Sequence, residues 1–460
     1  MNDNLRKNIE ELEKLAVDMG IDFYTMKYEV VPIETMLEVM SYGLPTRARH
    51  WRYGQSYDYQ KMSGEMGHSK VYELVLNNNP CYAFLLDTNP DIINIMVSAH
   101  VLGHCHFFKN NYLFKKTDNQ MVYRAAERAS RIDEYIDRYG LNEVERVMDM
   151  AFSMDKNIDW FKGVYRKKYK EESKVVRNKK QRDSSFDDVV PSKDVLVNFQ
   201  TVNFPPSIEH DLLWFFINYS NLEDWKKDIF DIIRQESFYF YPQYMTKIMN
   251  EGFAVYIHTE LMQQLDVGPA NFIEYTKLHE RVVQPGGSKF NMNPYYLGFQ
   301  IFKDIEKRWN EKFEAGESKI NGFQKILEVV ENEDDISFIR NYLTEDLCLE
   351  MELFVYEQSV DAFGNSIVEI KSKNLDDVKE YLTKKLYNYT APAIGISKVS
   401  YSGIELEHSS YEHGTLDLRH TKKVMEYIQE IWGAVIVDLK TVDEDQSILH
   451  ITLDEDGFSI

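Results

Sequence analysis

The hydrophobic pattern of the chain changes at about residue 353, and this change narrows the range of folds most sharply. Before it, apolar residues recur at helical spacing in long segments, as at 91–114 and 243–264. After it, short runs of alternating polar and apolar residues predict about six strands and two helices. The pattern predicts an α+β fold, with a mainly helical domain at 1–352 and a small α+β domain at 353–460.

One segment of the helical part has a different composition. Residues 169–208 are polar, carry charges of both signs, and end near Pro191, Pro205 and Pro206. Such segments bury little apolar surface and interrupt regular structure. This composition predicts a linker or a mobile insertion.

The charge of the chain argues against two classes of partner. The sequence of 460 residues has 53 basic and 75 acidic residues, and its net charge is -22. A surface of this sign repels the phosphates of nucleic acids and the headgroups of anionic membranes. We therefore expect no nucleic-acid partner. No stretch of the sequence is apolar over the length of a transmembrane helix, so we also expect no membrane insertion.

The cysteines and the first residues predict where the protein works. Three widely spaced cysteines, Cys81, Cys105 and Cys348, form no disulfide framework, as is typical of a reducing compartment. The first twenty residues read as a charged amphipathic helix, which differs from a secretory signal. We expect a cytoplasmic protein.

A histidine pair gives the sharpest chemical signal. His100 and His104 are four residues apart, so a helix places both imidazoles on one face, where they can reach one metal ion. Three of the twelve histidines, including His106, lie within seven residues on an apolar helix. The alternative is a pair of hydrogen-bonded core or surface histidines without a metal.

A glutamate on a second apolar segment gives the other signal. Glu251 is followed by Gly252 and Ala254, which allow a neighbouring helix to come close. A buried carboxylate needs a partner, and a metal ion would provide one. The alternative partner is a basic side chain, Arg234 or Lys247. Two histidines and one carboxylate suit Zn²⁺ and also Fe²⁺.

Part of this pattern resembles the gluzincin metallopeptidases. The run Asn250-Glu251-Gly252-Phe253-Ala254 is similar to the segment that supplies their third zinc ligand. The resemblance implies a zincin-like helical domain in which His100, His104 and Glu251 hold the metal. The chain departs from the family at Val101, which stands where those enzymes carry their catalytic glutamate, and a valine cannot accept a proton.

A second resemblance covers nearly the whole chain. The sequence resembles the stage V sporulation protein R (SpoVR) family in a series of ordered motifs. Among them are Gly43-Leu44-Pro45-Thr46-Arg47, Lys70-Val71-Tyr72-Glu73-Leu74-Val75, Asn79-Pro80-Cys81-Tyr82-Ala83-Phe84-Leu85, Lys247-Ile248-Met249-Asn250-Glu251-Gly252 and Asn293-Pro294-Tyr295-Tyr296-Leu297-Gly298. This resemblance implies a cytoplasmic protein of spore cortex formation, the cortex being a modified peptidoglycan. The chain departs from the family at His106, where an aspartate is expected.

Two functions follow from these resemblances. The first is metal-dependent hydrolysis of an amide bond, in a peptidoglycan precursor or in a protein that acts on the cortex. His258, His279 or Glu236 would then replace the missing catalytic base. The second is a non-catalytic scaffold or regulator of sporulation with a structural or degenerate metal site and an unknown protein partner. Val101 favours the second function.

Overall fold

The structure is a computed structural model that describes most of the chain. The described residues are 1–65, 73–169, 204–287, 289–290, 292–360, 365–400, 402–409, 415–433, 436–443, 445 and 447–460. Most of the segment 169–208 lies outside them, and so do residues 70–72 of one SpoVR motif. The linker at 169–208 stays a prediction.

The described chain divides into two compact units, each made of two stretches of sequence. The first unit comprises Met1–Asp133 and Tyr239–Tyr389, and the second comprises Glu134–Phe238 and Thr390–Ile460. The division of the sequence at residue 353 into two domains stays a prediction.

Helices dominate the first unit. They are α1 (Asp3–Asp18), α2 (Ile33–Tyr42), α3 (Trp51–Glu65), α4 (Asp91–Asn110), α5 (Met121–Tyr139, which continues into the second unit), α9 (Lys247–Gln264), α10 (Pro269–Val282), α11 (Pro294–Glu314), α12 (Gly322–Asn332), α13 (Asp335–Tyr342), α14 (Glu345–Glu350) and α15 (Leu375–Leu386). Short 3-10 helices occur at Phe114–Lys116 and Tyr387–Thr390.

Helix α4 forms the centre of the first unit. Nearly all of its residues from Ile92 to Phe108 are buried, on every side of the helix. A helix that is apolar all round is stable only when other elements surround it. α4 packs against α1, α9, α12 and the sheet strand β3 (Cys81–Leu86). This position places the histidines of α4 inside the protein.

Small sheets complete the first unit. Strand β3 lies between β1 (Met26–Val31), to which it is parallel, and β2 (Leu74–Leu76), to which it is antiparallel. Two further strands, β4 (Val355–Val360) and β5 (Ser366–Ser372), form an antiparallel pair. The central β3 is almost wholly apolar, as expected of a strand that is covered on both faces.

The second unit combines helices with a five-stranded sheet. Its helices are α6 (Leu141–Phe152), α7 (Leu212–Tyr219), α8 (Asp224–Met245, which continues into the first unit) and α16 (Leu418–Trp432). Its strands are β6 (Ile394–Val399), β7 (Gly403–His408), β8 (Ile436–Val442), β9 (Ile448–Asp454) and β10 (Gly457–Ser459). The order in the sheet is β10-β9-β8-β7-β6. Within the described part of this sheet, the β7–β8 pair is parallel and the other three pairs are antiparallel.

The predicted fold class is confirmed. The chain is α+β, and its N-terminal part is mainly helical. Most of the segment 91–114 forms α4, which ends at Asn110, and most of 243–264 forms α9, which begins at Lys247. Within the described ranges, no helix has the length and apolar character needed to cross a membrane.

Candidate metal centre

Helix α9 is held between α4 and α11 by unusually close backbone contacts. A Cβ atom on Gly103 of α4 would lie 2.8 Å from the Cα of Ala254 on α9. A Cβ on Gly252 of α9 would lie 2.3 Å from the carbonyl carbon of Gly298 on α11. Only glycine permits such approaches. They bring Glu251, which precedes Gly252, next to α4.

The first turn of α9 is fixed by a carboxylate from another helix. Asp335, the first residue of α13, accepts hydrogen bonds from the backbone N–H groups of Ile248 at 2.9 Å and Met249 at 2.8 Å. Burial raises the pKa of Asp335 to about 8, although both N–H groups favour the ionised form. These bonds orient the turn that carries Glu251.

Four side chains of the first unit converge where α4 and α9 meet. They are Glu73, which directly precedes β2, His100 and His104 on α4, and Glu251 on α9. Their ligand atoms all lie within 4.8 Å of one another. Both histidines are buried, while 26% of the Glu73 side chain and 14% of the Glu251 side chain are exposed.

The spacing of the donor atoms fits a bound metal ion. The Nε2 atom of His104 lies 3.4 Å from Oε2 of Glu251, and Nε2 of His100 lies 3.7 Å from that oxygen and 3.1 Å from Oε2 of Glu73. Around a tetrahedral Zn²⁺ with bonds of about 2.0–2.1 Å, neighbouring ligand atoms are roughly 3.3–3.4 Å apart. The observed distances bracket that value.

The hydrogen bonding at the same atoms is incomplete. Among the described residues, Nε2 of His100 and Oε2 of Glu251 are buried and have no partner in hydrogen-bond geometry. Buried polar atoms without partners are costly, and a metal ion would satisfy both of these. The donor set, two imidazoles and two carboxylates, suits Zn²⁺ or Fe²⁺.

The charges of the site depend on each other. Burial raises the pKa of the Glu251 carboxyl, but close contact with His100 and His104 and the positive charge on these imidazoles outweigh it and hold this pKa well below its usual range. Burial lowers the pKa of His104, but Glu251 outweighs it and raises the pKa to about 9. Without a metal, His104 and Glu251 form an ion pair at neutral pH. A metal ion would take the place of the proton on His104.

Two further contacts orient these groups. The Nδ1 atom of His104 lies 2.9 Å from Oδ1 of Asn250, so it can donate there while Nε2 faces Glu251. The hydroxyl of Tyr295 donates to Oε1 of Glu73 at 2.9 Å. Burial raises the pKa of Tyr295 well above its usual range, and the charge of Glu73 adds to this effect. Tyr295 therefore stays protonated as a donor.

Two of the predicted catalytic residues connect to the site through His100. Nδ1 of His100 lies 3.0 Å from Nδ1 of His258, and Nε2 of His258 lies 2.9 Å from Nδ1 of His279. Burial lowers the pKa of His258 well below its usual value, and the neighbouring imidazoles lower it further. Burial also lowers the pKa of His279. Both side chains lie behind His100, on the side opposite its Nε2 atom, which faces the cluster of donor atoms.

Other predicted residues lie elsewhere. Glu236 is buried on α8 in the second unit and is not one of the four clustered side chains. Arg234, an alternative partner for Glu251, instead forms an ion pair with Asp211 at 2.8 Å. Val101 is fully buried among apolar residues. Nδ1 of His106 accepts the backbone N–H of Asp22 at 3.0 Å, so this histidine has a separate role.

Glu73 is the site residue that the sequence reasoning missed. Its signal was present but weak, because Glu73 is a single acidic residue in the apolar run Tyr72-Glu73-Leu74-Val75-Leu76. A lone carboxylate beside a strand is common on protein surfaces. Only the packing of β2 against β3, next to α4, brings Glu73 to the histidines.

The fold and the site define the class of protein: an α+β protein with a buried cluster of two histidines and two glutamates in its helical part. The chain belongs to the SpoVR family, because residues 1–391 match the family model described as SpoVR like protein. It is similar to the uncharacterized protein YcgB of Escherichia coli (strain K12), with 28% identity over 483 residues, covering 96% of this chain and 92% of the relative. No solved structure was found to match.

Family membership confirms the resemblance to the SpoVR family and supports the predicted association with sporulation, while the resemblance to the gluzincins stays a prediction. The cluster of Glu73, His100, His104 and Glu251 supports a metal site, with the identity of the ion left open.

Proposed function

We propose that the chain is a zinc-dependent hydrolase that cleaves an amide bond in a peptidoglycan precursor during spore cortex formation. His100, His104 and Glu251 hold the metal, as predicted from the sequence, and Glu73 is the general base. One observation carries this proposal. A carboxylate oxygen of Glu73 lies 3.1 Å from Nε2 of His100, inside the cluster of ligand atoms. Glu73 thus supplies the carboxylate that Val101 cannot.

The chemistry divides between the ion and the chain. Bound Zn²⁺ would act as a Lewis acid that polarises a carbonyl and makes water more acidic. Glu73 accepts a proton from the attacking water while the water oxygen bonds to the amide carbonyl carbon. The carbon–nitrogen bond then breaks, and Glu73 returns the proton to the departing amine. The products are a carboxylic acid and an amine, and no oxidant or reductant is needed.

The surroundings of Glu73 suit a base. Its side chain is the more exposed of the two glutamates, at 26% against 14% for Glu251, so it lies on the solvent side of the cluster. The Tyr295 hydroxyl holds Oε1 and leaves Oε2 directed at the cluster. Tyr295 therefore fixes the carboxylate without occupying the oxygen that would take the proton.

The substrate class rests on two supports. The family is associated with sporulation, and the cortex is built from peptidoglycan, whose peptide stems contain many amide bonds. A cytoplasmic location, predicted from the cysteines, would give the protein access to precursors rather than to the finished wall. A protein that acts on the cortex is the other candidate substrate.

Replacing Glu73 by glutamine tests the proposal. Glu73→Gln removes the base and keeps the size of the side chain, so zinc binding should persist while hydrolysis falls by about 10²–10⁴-fold. Purified zinc-loaded protein would be incubated with a soluble peptidoglycan precursor, and mass spectrometry would detect the addition of water. Hydrolysis that survives in Glu73→Gln would contradict the role of Glu73.

The alternative function is a scaffold or regulator of sporulation with a structural metal site and a protein partner. The 3.1 Å distance between Glu73 and His100 is also consistent with this alternative. At that distance Glu73 could be a fourth protein ligand, which would close the coordination sphere as in structural zinc sites. In that case Glu73→Gln weakens zinc binding strongly, and the wild-type protein hydrolyses no precursor. The same variant therefore separates the two functions.

A further inference from the structure

Three imidazoles form a continuous row that leads away from the metal centre. His100 contacts His258 through their Nδ1 atoms at 3.0 Å, and Nε2 of His258 contacts Nδ1 of His279 at 2.9 Å. Both distances are those of hydrogen bonds. His258 is fully buried, whereas His279 is partly exposed at the end of α10. The row therefore runs from the interior toward solvent.

A bound metal would set the position of every proton in this row. A neutral imidazole has one N–H donor and one lone pair. When Nε2 of His100 gives its lone pair to a metal, its Nδ1 carries the proton and donates to Nδ1 of His258. Nε2 of His258 then carries a proton and donates to Nδ1 of His279. Each bond in the row has one donor and one acceptor.

The surroundings of His258 favour this neutral arrangement. The side chain lies on α9 among buried apolar residues, and the ring of Tyr275 packs edge-on at 6.2 Å. Phe299 packs against His279 at 5.8 Å. Within the described part of the chain, each nitrogen of His258 has one partner, and that partner is another imidazole. No carboxylate of the described residues competes with His100 for these nitrogens.

We propose that His258 and His279 are positioning residues that hold His100 in the tautomer whose Nε2 lone pair faces the metal. Acceptors behind ligand histidines fix the ring orientation and make the imidazole a stronger ligand. From the sequence, these two histidines were candidates for a catalytic base. Their location behind His100 assigns them to metal affinity instead. This inference rests on the metal centre under the proposed function.

A matched pair of substitutions at His258 tests the proposal. Asparagine and leucine are similar in size, but only His258→Asn keeps an acceptor oxygen near the place of Nδ1. Zinc affinity, measured by competition with a chelator, should fall about 10–100-fold in His258→Leu and stay within about threefold of wild type in His258→Asn. If His258 only fills space, His258→Leu should bind zinc more tightly than His258→Asn, because leucine fits a buried apolar site better than asparagine does.

The same pair at His279 covers the case in which His258→Leu does not fold. His279 is partly exposed, so His279→Leu disturbs packing less. It should weaken zinc binding, and His279→Asn should not. Wild-type affinity in both leucine variants overturns the positioning role and leaves the metal centre standing. A wild-type protein that binds no zinc overturns the metal centre itself, and with it this inference.

Discussion

His104 and Glu251 form a pair whose charges are set by their mutual contact. They lie 3.4 Å apart in a largely buried place, so each ionised group stabilises the other. The pKa of His104 is about 9, whereas the usual value is 6.5. A group whose pKa rises on folding stabilises the folded protein while it is protonated. The metal-free protein should therefore lose stability as this proton leaves.

The pH dependence of the metal-free protein tests this pair. The stabilisation from His104 is complete below its unfolded pKa of 6.5 and is lost as pH rises through about 9. As pH rises from 6.5 to about 9, the melting temperature of chelator-treated wild type should therefore decrease relative to that of His104→Gln, which lacks the titrating group. A difference between the two proteins that does not change with pH would contradict the ion pair.

Some of the site could be read from single residues, and some could not. His100 and His104 are one helical turn apart, so local spacing alone places them together. Glu251 follows from its unusual place in an apolar helix. Glu73 belongs to a distant segment, and a lone carboxylate has no local pattern that indicates a ligand. The function of Val101 as a core residue is visible only once α4 is seen to be buried on all sides.

At the scale of elements, the position of α9 determines the geometry of the site. This helix carries Glu251, the Asn250 contact to His104 and the His258 contact to His100. It is held by close contacts with α4 and α11 and by the Asp335 carboxylate at its first turn. A small displacement of α9 would therefore change a ligand and two orienting contacts together.

Gly252→Ala should displace α9. The added Cβ would lie 2.3 Å from the carbonyl carbon of Gly298, and both groups belong to backbone, so one helix must move. We expect a loss of about 1–3 kcal/mol in the free energy of unfolding, measured by urea titration, and weaker zinc binding.

Gly54→Ala is the matched control for this substitution. Gly54 is an exposed glycine within α3, and an added Cβ meets no atom within 4 Å. Alanine is favoured over glycine in a helix, so this variant should be as stable as wild type or more stable. Equal stability of the Gly252→Ala and Gly54→Ala variants would show that α9 and α11 are not in close contact at Gly252.

Most elements could be predicted from the sequence because their patterns are local. The periodic apolar positions of α1 and α9 predicted those helices, and the alternating runs predicted most strands after residue 353. Helices α13 and α14 are separated by only two residues, and the break arises because Thr344 starts α14 by accepting a hydrogen bond from the backbone N–H of Leu347. The spacing of apolar residues does not reveal such a cap, because the cap depends on a side-chain hydrogen bond.

At the scale of the whole molecule, the grouping of segments was the least predictable feature. Residues 134–238 join residues 390–460 in one compact unit, although the whole second stretch of the other unit, Tyr239–Tyr389, separates them in sequence. Pairing between distant segments depends on surface complementarity, which leaves no periodic signature. The candidate metal site nevertheless lies wholly in the first unit, which contains all four of its residues.

The metal content of the purified protein tests the central claim most directly. Elemental mass spectrometry would be applied to wild type and to a His100→Ala, His104→Ala double variant, both purified without a metal-affinity tag. The structure predicts about one ion per chain in wild type, Zn²⁺ or Fe²⁺, and its loss in the double variant. Wild type without stoichiometric metal, or a double variant that keeps its metal, would contradict the account.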